Sequence, residues 1–309
     1  MKTFKFEGNK INTMEDKYES LTIFEFQQKF PDDEACLKYL SELKWKDGFQ
    51  CPQCGHTHYC NGKRKYDRQC TSCHRITSPT SGTLFHKVKF SILQAFYIVY
   101  YVSTNKKGIT STELSRKLGL RQKTCWLFKQ KVMKAMQSSG RFKILEKAEV
   151  DETVVGGQEE KVVGRKNNKK KLVVFAIEKK GRGVSRVYGR VIQHSSAKEL
   201  GAFMKQTIDS SAKIKTDKWV GYTPLKKDFE KLIQVHSGKK GENFGDMHRI
   251  IMGFKGWLRG IHHKVTYLQA YIDEYCYRYN RNMMGEGIFD NLLKKMITSK
   301  PMTYKQLIT

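Results

Sequence analysis

No stretch of the 309-residue chain approaches the roughly 18 consecutive apolar residues that a membrane-spanning helix requires. The densest run, "FSILQAFYIVYYV" at 90–102, is shorter, rich in Tyr and Phe, and reads as a helix buried in a core. The N-terminal "MKTFKFEGNK" has no apolar centre of the kind a secretory signal carries. A cytoplasmic protein with no membrane partner is therefore expected. In a reducing compartment its eight cysteines need a purpose other than disulfides. The chain also lacks internal repeats. Acid is scarce: 30 Asp+Glu stand against 58 Lys+Arg, a formal net charge of +28. Such an excess either solubilises a surface or attracts a polyanion, and nucleic acid is the usual polyanion.

At this length, with 39% hydrophobic residues, two or three domains and a sizeable core are expected. Residues 1–45 read as an N-terminal helical segment, with two short helices split at Pro31 and Asp32 or Asp33 capping the second. Residues 46–85 hold the strongest local signal, Cys51-Pro-Gln-Cys54 and Cys70-Thr-Ser-Cys73, fifteen residues apart. Two thiolates three apart wrap one metal from a tight turn, and two such turns complete a tetrahedral zinc site with no open position. His56, His58 and His74 lie nearby, but four cysteines already satisfy Zn2+. Cys36, Cys60, Cys125 and Cys276 read as packing residues.

Residues 86–145 read as helical, and "GITSTELSRKLGLRQKTCWLFKQKVMKAM" has the pattern of a helix-turn-helix. Thr110 or Ser111 caps a first helix through Leu118, Gly119 makes the turn, and a second helix runs from about Arg121 to Met136. Leu114, Leu118, Leu120, Trp126, Val132 and Met136 supply the core face. Arg121, Gln122, Lys123, Lys129 and Lys131 are then expected to meet DNA.

From Ala148 the pattern becomes strand-like: "KAEVDETVVGG", "KKLVVFAIEKK" and "VSRVYGRVI", a helix at 196–209, then "AKIKTD" and "KLIQVHS". The basic stretch "GGQEEKVVGRKNNKKK" (156–171) reads as a solvated loop. In so basic a chain, Asp151 and Asp217 at the ends of strand candidates are notable. Two such carboxylates on adjacent strands suit divalent ions that activate an attacking hydroxyl and stabilise a leaving oxygen.

The order of zinc ribbon, helix-turn-helix, "VDETVVGG", "KTDKWVGY" and "HRIIMGFKGWLRGIHHKVTYLQAYIDEYCYRYNRN" resembles bacterial DDE-type insertion-sequence transposases with an N-terminal zinc ribbon. The resemblance covers roughly residues 20 to 285. It implies an α/β, ribonuclease-H-like catalytic domain at 146–285, behind a zinc ribbon and a helix-turn-helix domain, with 286–309 left as a C-terminal tail. It also implies a nucleoid-associated enzyme that binds the terminal inverted repeats of its element, cuts with Mg2+ or Mn2+, and joins the 3′-hydroxyls to target DNA. Its partner would be double-stranded DNA, and a homo-oligomer would act on paired ends. Asp151 becomes the first acid and Asp217 the second. No Ser or Tyr stands out as a nucleophile, so no covalent intermediate is expected.

The third acid is the departure. The family places Glu seven residues before Lys on one helix face, and seven before Lys255 stands His248. His248 alone keeps the spacing, while Glu242 and Asp246 are the alternatives. Lys255 and Arg259 are expected to contact DNA. Arg278, Asn280 and Arg281 match the family block as a basic helix end near the active site or DNA, with Asp273 and Glu274 as salt-bridge partners. A rival reading is a domesticated, catalytically inactive DNA-binding regulator, which His248 keeps open. Another is a metal-dependent nuclease that cuts without joining.

Overall fold

The computed structural model describes residues 21–138, 140, 142–156, 170–261, 266–281 and 287–308. Most of the expected basic loop at 156–171 and the N-terminal ten residues lie outside them. No helix among the described residues is long and apolar enough to cross a membrane.

The chain begins with α1 (Ile23–Lys29) and α2 (Asp33–Lys44). Each starts where a side chain satisfies an orphan helical N–H: Thr22 and Glu25 form a reciprocal capping box, and Asp32 accepts from the Ala35 amide at 2.8 Å. A small antiparallel sheet follows, of β1 (Tyr59–Asn61), β2 (Arg68–Cys70) and β3 (Ile76–Thr77). Then come α3 (Ile92–Thr104), α4 (Ser111–Leu118) and α5 (Gln122–Met136). The apolar run at 90–102 is indeed a core helix: Ala95, Phe96, Ile98, Val99 and Val102 of α3 are all fully buried. Between α4 and α5, Gly119 takes φ +65°, a left-handed conformation that glycine adopts without steric cost.

The second domain is built on a five-stranded sheet of β4 (Lys147–Val155), β5 (Lys171–Lys180), β6 (Gly183–Ile192), β7 (Lys213–Thr216) and β8 (Leu232–Gln234), in the order β6-β5-β4-β7-β8. The first three strands are antiparallel, and β7 and β8 run parallel to β4. Helix α6 (Ala197–Thr207) makes the crossover, packing Leu200, Phe203 and Met204 on Ala148, Val150, Val174, Ala176 and Ile214. On the opposite face lie α7 (Gly245–Ile261) and α8 (Leu268–Arg281), with Phe254 and Ile272 against Val173, Phe175 and Ile177. All five strands expected from sequence are present, in the ribonuclease-H-like order.

The chain end departs from expectation. Residues 286–309 are not a tail: α9 (Ile288–Thr298) buries Phe289, Leu292, Leu293 and Met296 in the core of α1–α5. Phe289 meets the rings of Phe26, Phe30, Phe96 and Tyr100 at 5.7–6.4 Å between centroids. Its apolar spacing is helical, but nothing local says which domain it joins. The short α10 (Tyr304–Ile308) then lies beside α5, with Tyr304 6.1 Å from the Trp126 ring.

Candidate functional site

The two cysteine pairs meet at the zinc ribbon. Each pair sits in a tight turn closed by a backbone bond, Gly55 N–H to Cys51 O at 2.9 Å and His74 N–H to Cys70 O at 3.0 Å. Both closing residues have positive φ, +77° and +56°. Sγ of Cys51 lies 3.5 Å from that of Cys73, and Cys54 lies 3.6 Å from Cys70. All four sulfurs fall within 4.8 Å of one another. Tetrahedral Zn–S bonds of about 2.3 Å place the sulfurs about 3.8 Å apart, so the cluster fits a structural zinc. Amide hydrogens lower the Cys51 and Cys70 thiols, whereas the crowding of the other sulfurs raises Cys73; a cation among the four relieves that crowding and holds them as thiolates. His56 instead bonds the Thr71 hydroxyl at 3.0 Å. Cys36, Cys125 and Cys276 are buried as expected, whereas Cys60 is exposed on β1 and packs in no core.

The acidic cluster forms where β4 outruns β7. Val150 pairs with Thr216, the last residue of β7, and Asp151 is the next residue along β4. Asp151 is therefore mid-strand rather than at a strand end, level with Asp217 in the turn just after β7. That turn is built by "DKWVGY". Asp217 Oδ1 accepts from the Trp219 amide at 3.0 Å, and the Trp219 indole donates to Ser195 O at 2.8 Å. A Cβ on Gly221 would fall 2.6 Å from both Ser195 O and Trp219 Nε1, so glycine is required there. Tyr222 is fully buried beneath.

Asp151, Glu152 and Asp217 each bring one carboxylate oxygen within 4.8 Å of the other two. The spread suits one hard cation, whose opposite oxygen ligands stand about 4 Å apart at Mg–O distances of about 2.0–2.1 Å. His248, in the first turns of α7, places Nε2 4.0 Å from Asp151 Oδ2. Its ring lies on Gly241, where a Cβ would fall 1.7 Å from the imidazole. Asp246 points elsewhere, paired with Lys179 on β5 and with Arg249 at 2.6 Å. Glu242 is exposed in the short 3-10 helix Lys239–Phe244 and does not join the carboxylate cluster.

Sequence reasoning missed Glu152 and Tyr222. Alternation along a strand sends neighbours to opposite faces, so Glu152 was not paired with Asp151. The "DE" dipeptide in a chain so poor in acid was the available signal. Burial first, then Glu152, Asp151 and Asp217, push the Tyr222 hydroxyl well above its usual range.

Among the basic residues, Arg121, Gln122 and Lys123 are exposed at the start of α5. Gln122 bonds the Ser111 hydroxyl at 2.6 Å, and Lys123 lies 5.7 Å from the Tyr304 ring. Lys129 is a correction: only 1% exposed, it donates to Ile109 O at 2.7 Å and lies 3.9 Å from Glu274, so it cannot meet DNA. Its position on α5 faces α8, which sequence alone could not show. Lys255 is half-buried two turns beyond His248, and Arg259 is exposed one turn further. Burial, then Arg259 and Lys170, hold the Lys255 ammonium below the usual lysine range. Arg278 and Asn280 are structural rather than part of a basic face. Arg278 pairs with Glu274 at 2.6 Å and caps the Val102 carbonyl of α3, and Asn280 bonds both backbone groups of Val187. Arg281 stacks on Tyr277, 3.9 Å from its centroid.

An α/β sheet of this order, with acids gathered at the gap beyond a central strand, defines a ribonuclease-H-like domain. Two family models match the chain: an ISXO2-like transposase domain over residues 143–280 and a transposase zinc-ribbon domain over residues 31–75. The chain belongs to the DDE-type insertion-sequence transposases with an N-terminal zinc ribbon. No curated protein matches it.

Proposed function

We propose that the protein is an active transposase that binds the terminal inverted repeats of an insertion sequence, cleaves DNA at the element ends and joins them to target DNA, with Asp151, Asp217 and His248 holding Mg2+ or Mn2+. The observation that carries this reading is the gathering of carboxylate oxygens of Asp151, Glu152 and Asp217 within 4.8 Å of one another, with His248 of α7 reaching to 4.0 Å from Asp151. A regulator with a dead catalytic domain would have no need to keep that convergence. Bound there, divalent ions supply activation of the attacking hydroxyl and neutralise charge on the leaving oxygen. Asp151 and Asp217 provide the anionic ligands, and His248 a neutral nitrogen that suits Mn2+ better than Mg2+. Lys255, one face along α7, holds a phosphate beside the scissile bond, and exposed Arg259 extends that contact. Arg121, Gln122 and Lys123 at the start of α5 read the element end, and a homo-oligomer pairs two ends.

The test is incubation of zinc-loaded protein with a plasmid carrying the element ends in Mg2+ or Mn2+, scored for cleavage and strand-transfer products. Asp151→Asn and Asp217→Asn are expected to abolish both products. His248→Ala is expected to lower activity at least about tenfold. No cleavage by the wild-type protein in either metal ends the enzymatic reading, and cleavage without joining makes the protein a nuclease.

A further inference from the structure

Glu152 and Tyr222 have no part in that reading, yet Glu152 belongs to the carboxylate cluster and Tyr222 is buried in the turn that follows Asp217. Strand alternation puts Asp151, opposite Phe175, on the α7 side of the sheet and Glu152, opposite Val174, on the α6 side. Beyond Val150, β4 has no β7 partner, so carboxylates from both faces reach the same gap beside Asp217. On the α6 side Tyr222 is fully buried in the core beneath the gap, and its hydroxyl makes no hydrogen bond among the described residues. The turn that presents Asp217 thus also buries Tyr222, through the Trp219–Ser195 bond and the space that only Gly221 leaves. Charge points the same way. With the expected helix carboxylate replaced by His248, Asp151 and Asp217 alone bring two negative charges to ions that carry two or four positive ones. Glu152 restores the third.

We propose that Glu152 is the third anionic ligand of the divalent-ion site formed with Asp151, Asp217 and His248, and that the Tyr222 hydroxyl, donating to Glu152 when the ion is bound, is its positioning residue. The ligand is a hard divalent cation, Mn2+ in preference to Mg2+, held by three carboxylates and an imidazole. Three carboxylates so close repel one another, and the cation relieves that repulsion. The inference rests on the metal-dependent reading above and is tested by binding rather than turnover.

Mn2+ binding to the full-length, zinc-loaded protein is measured by electron paramagnetic resonance, with melting temperature followed with and without Mn2+. Glu152→Gln is expected to weaken Mn2+ at least about tenfold and to shrink the Mn2+-induced rise in melting temperature. Its metal-free melting temperature should hold or rise, because one of three repelling charges is gone. Tyr222→Phe keeps the buried ring and loses only the hydroxyl, and should weaken Mn2+ severalfold with zinc content unchanged. A purely structural tyrosine would lower the melting temperature and leave Mn2+ affinity alone, and that outcome removes its positioning role. Glu152→Gln binding Mn2+ like wild type while Asp151→Asn does not would overturn the inference and leave the broader reading standing. Wild-type protein that binds no Mn2+, or Asp151→Asn and Asp217→Asn that bind it normally, would instead overturn the metal site itself.

Discussion

Asp273 holds its proton more tightly than a free carboxyl does. Burial pushes it up to about 6, against the opposing pull of the Gln269 amide, 3.0 Å away, and of Lys134, Lys295 and Arg190. In the unfolded chain it ionises first, near its ordinary value of 3.8. As pH rises from about 4 to 6 the unfolded state therefore loses its proton earlier, and folding is penalised; above about 6 the whole penalty is present. Two pKa units set an upper bound of about 3 kcal/mol. Asp273→Asn should melt above wild type at pH 8, with the gap closing below pH 6 and gone near pH 4. A variant that melts no higher at pH 8 would show that the carboxylate is well solvated after all. Glu274, its neighbour, differs because Arg278 pairs with it at 2.6 Å. Asp273 and Glu274 were legible as salt-bridge candidates from their helix, but which of them is paired depended on α3 and α5 lying beside α8.

At the level of single elements, α9 shows how little a helix's own sequence says about its place. "IFDNLLKKMIT" has apolar residues at helical spacing and a clear apolar face. That face is filled by the rings of α1 and α3, more than 180 residues earlier in the chain. Phe289→Ala removes a ring that touches four others and should cost about 3–5 kcal/mol in denaturant unfolding. An unchanged midpoint would mean that α9 is a surface appendage. The metal elements were more legible. Two CxxC turns carry their geometry in four residues each, so Cys51, Cys54, Cys70 and Cys73 were readable from spacing alone. Glu152 was not, because strand alternation hides a residue that reaches its neighbour only where the adjoining strand stops.

Across the whole molecule, one buried network joins the helical and transposase domains. Lys129 of α5 reaches Glu274 of α8, and Arg278 of the same helix caps the α3 backbone. Met133 of α5 enters the α7–α8 core while its neighbour Val132 enters the helical one. The helix whose start we assign to the element end thus also packs into the core beneath α7 and α8. The net charge of +28 acts at this scale too. DNA binding should weaken with salt at a log–log slope of about −0.9 per phosphate contact, so six to ten contacts lose about a thousandfold to a hundred-thousandfold in affinity between 50 and 200 mM. Filter binding or fluorescence anisotropy across that range measures the slope, and a slope near zero would assign the basic excess to solubility instead.

The sequence by itself determined what is local and repeated in kind: the thiolate turns, the capped helices and the five strands; the resemblance to the transposase family added Asp151, Asp217 and His248 as site candidates. The turns, caps and strands rest on patterns over a few residues, and such patterns are written in the chain. Only the tertiary structure decided that Lys129 is buried, that α9 closes the first domain, and that Glu152 joins the carboxylate cluster of Asp151 and Asp217. Those outcomes depend on which distant face covers a side chain and on where one strand ends beside another. Both are set when the layers pack, and no local pattern records them.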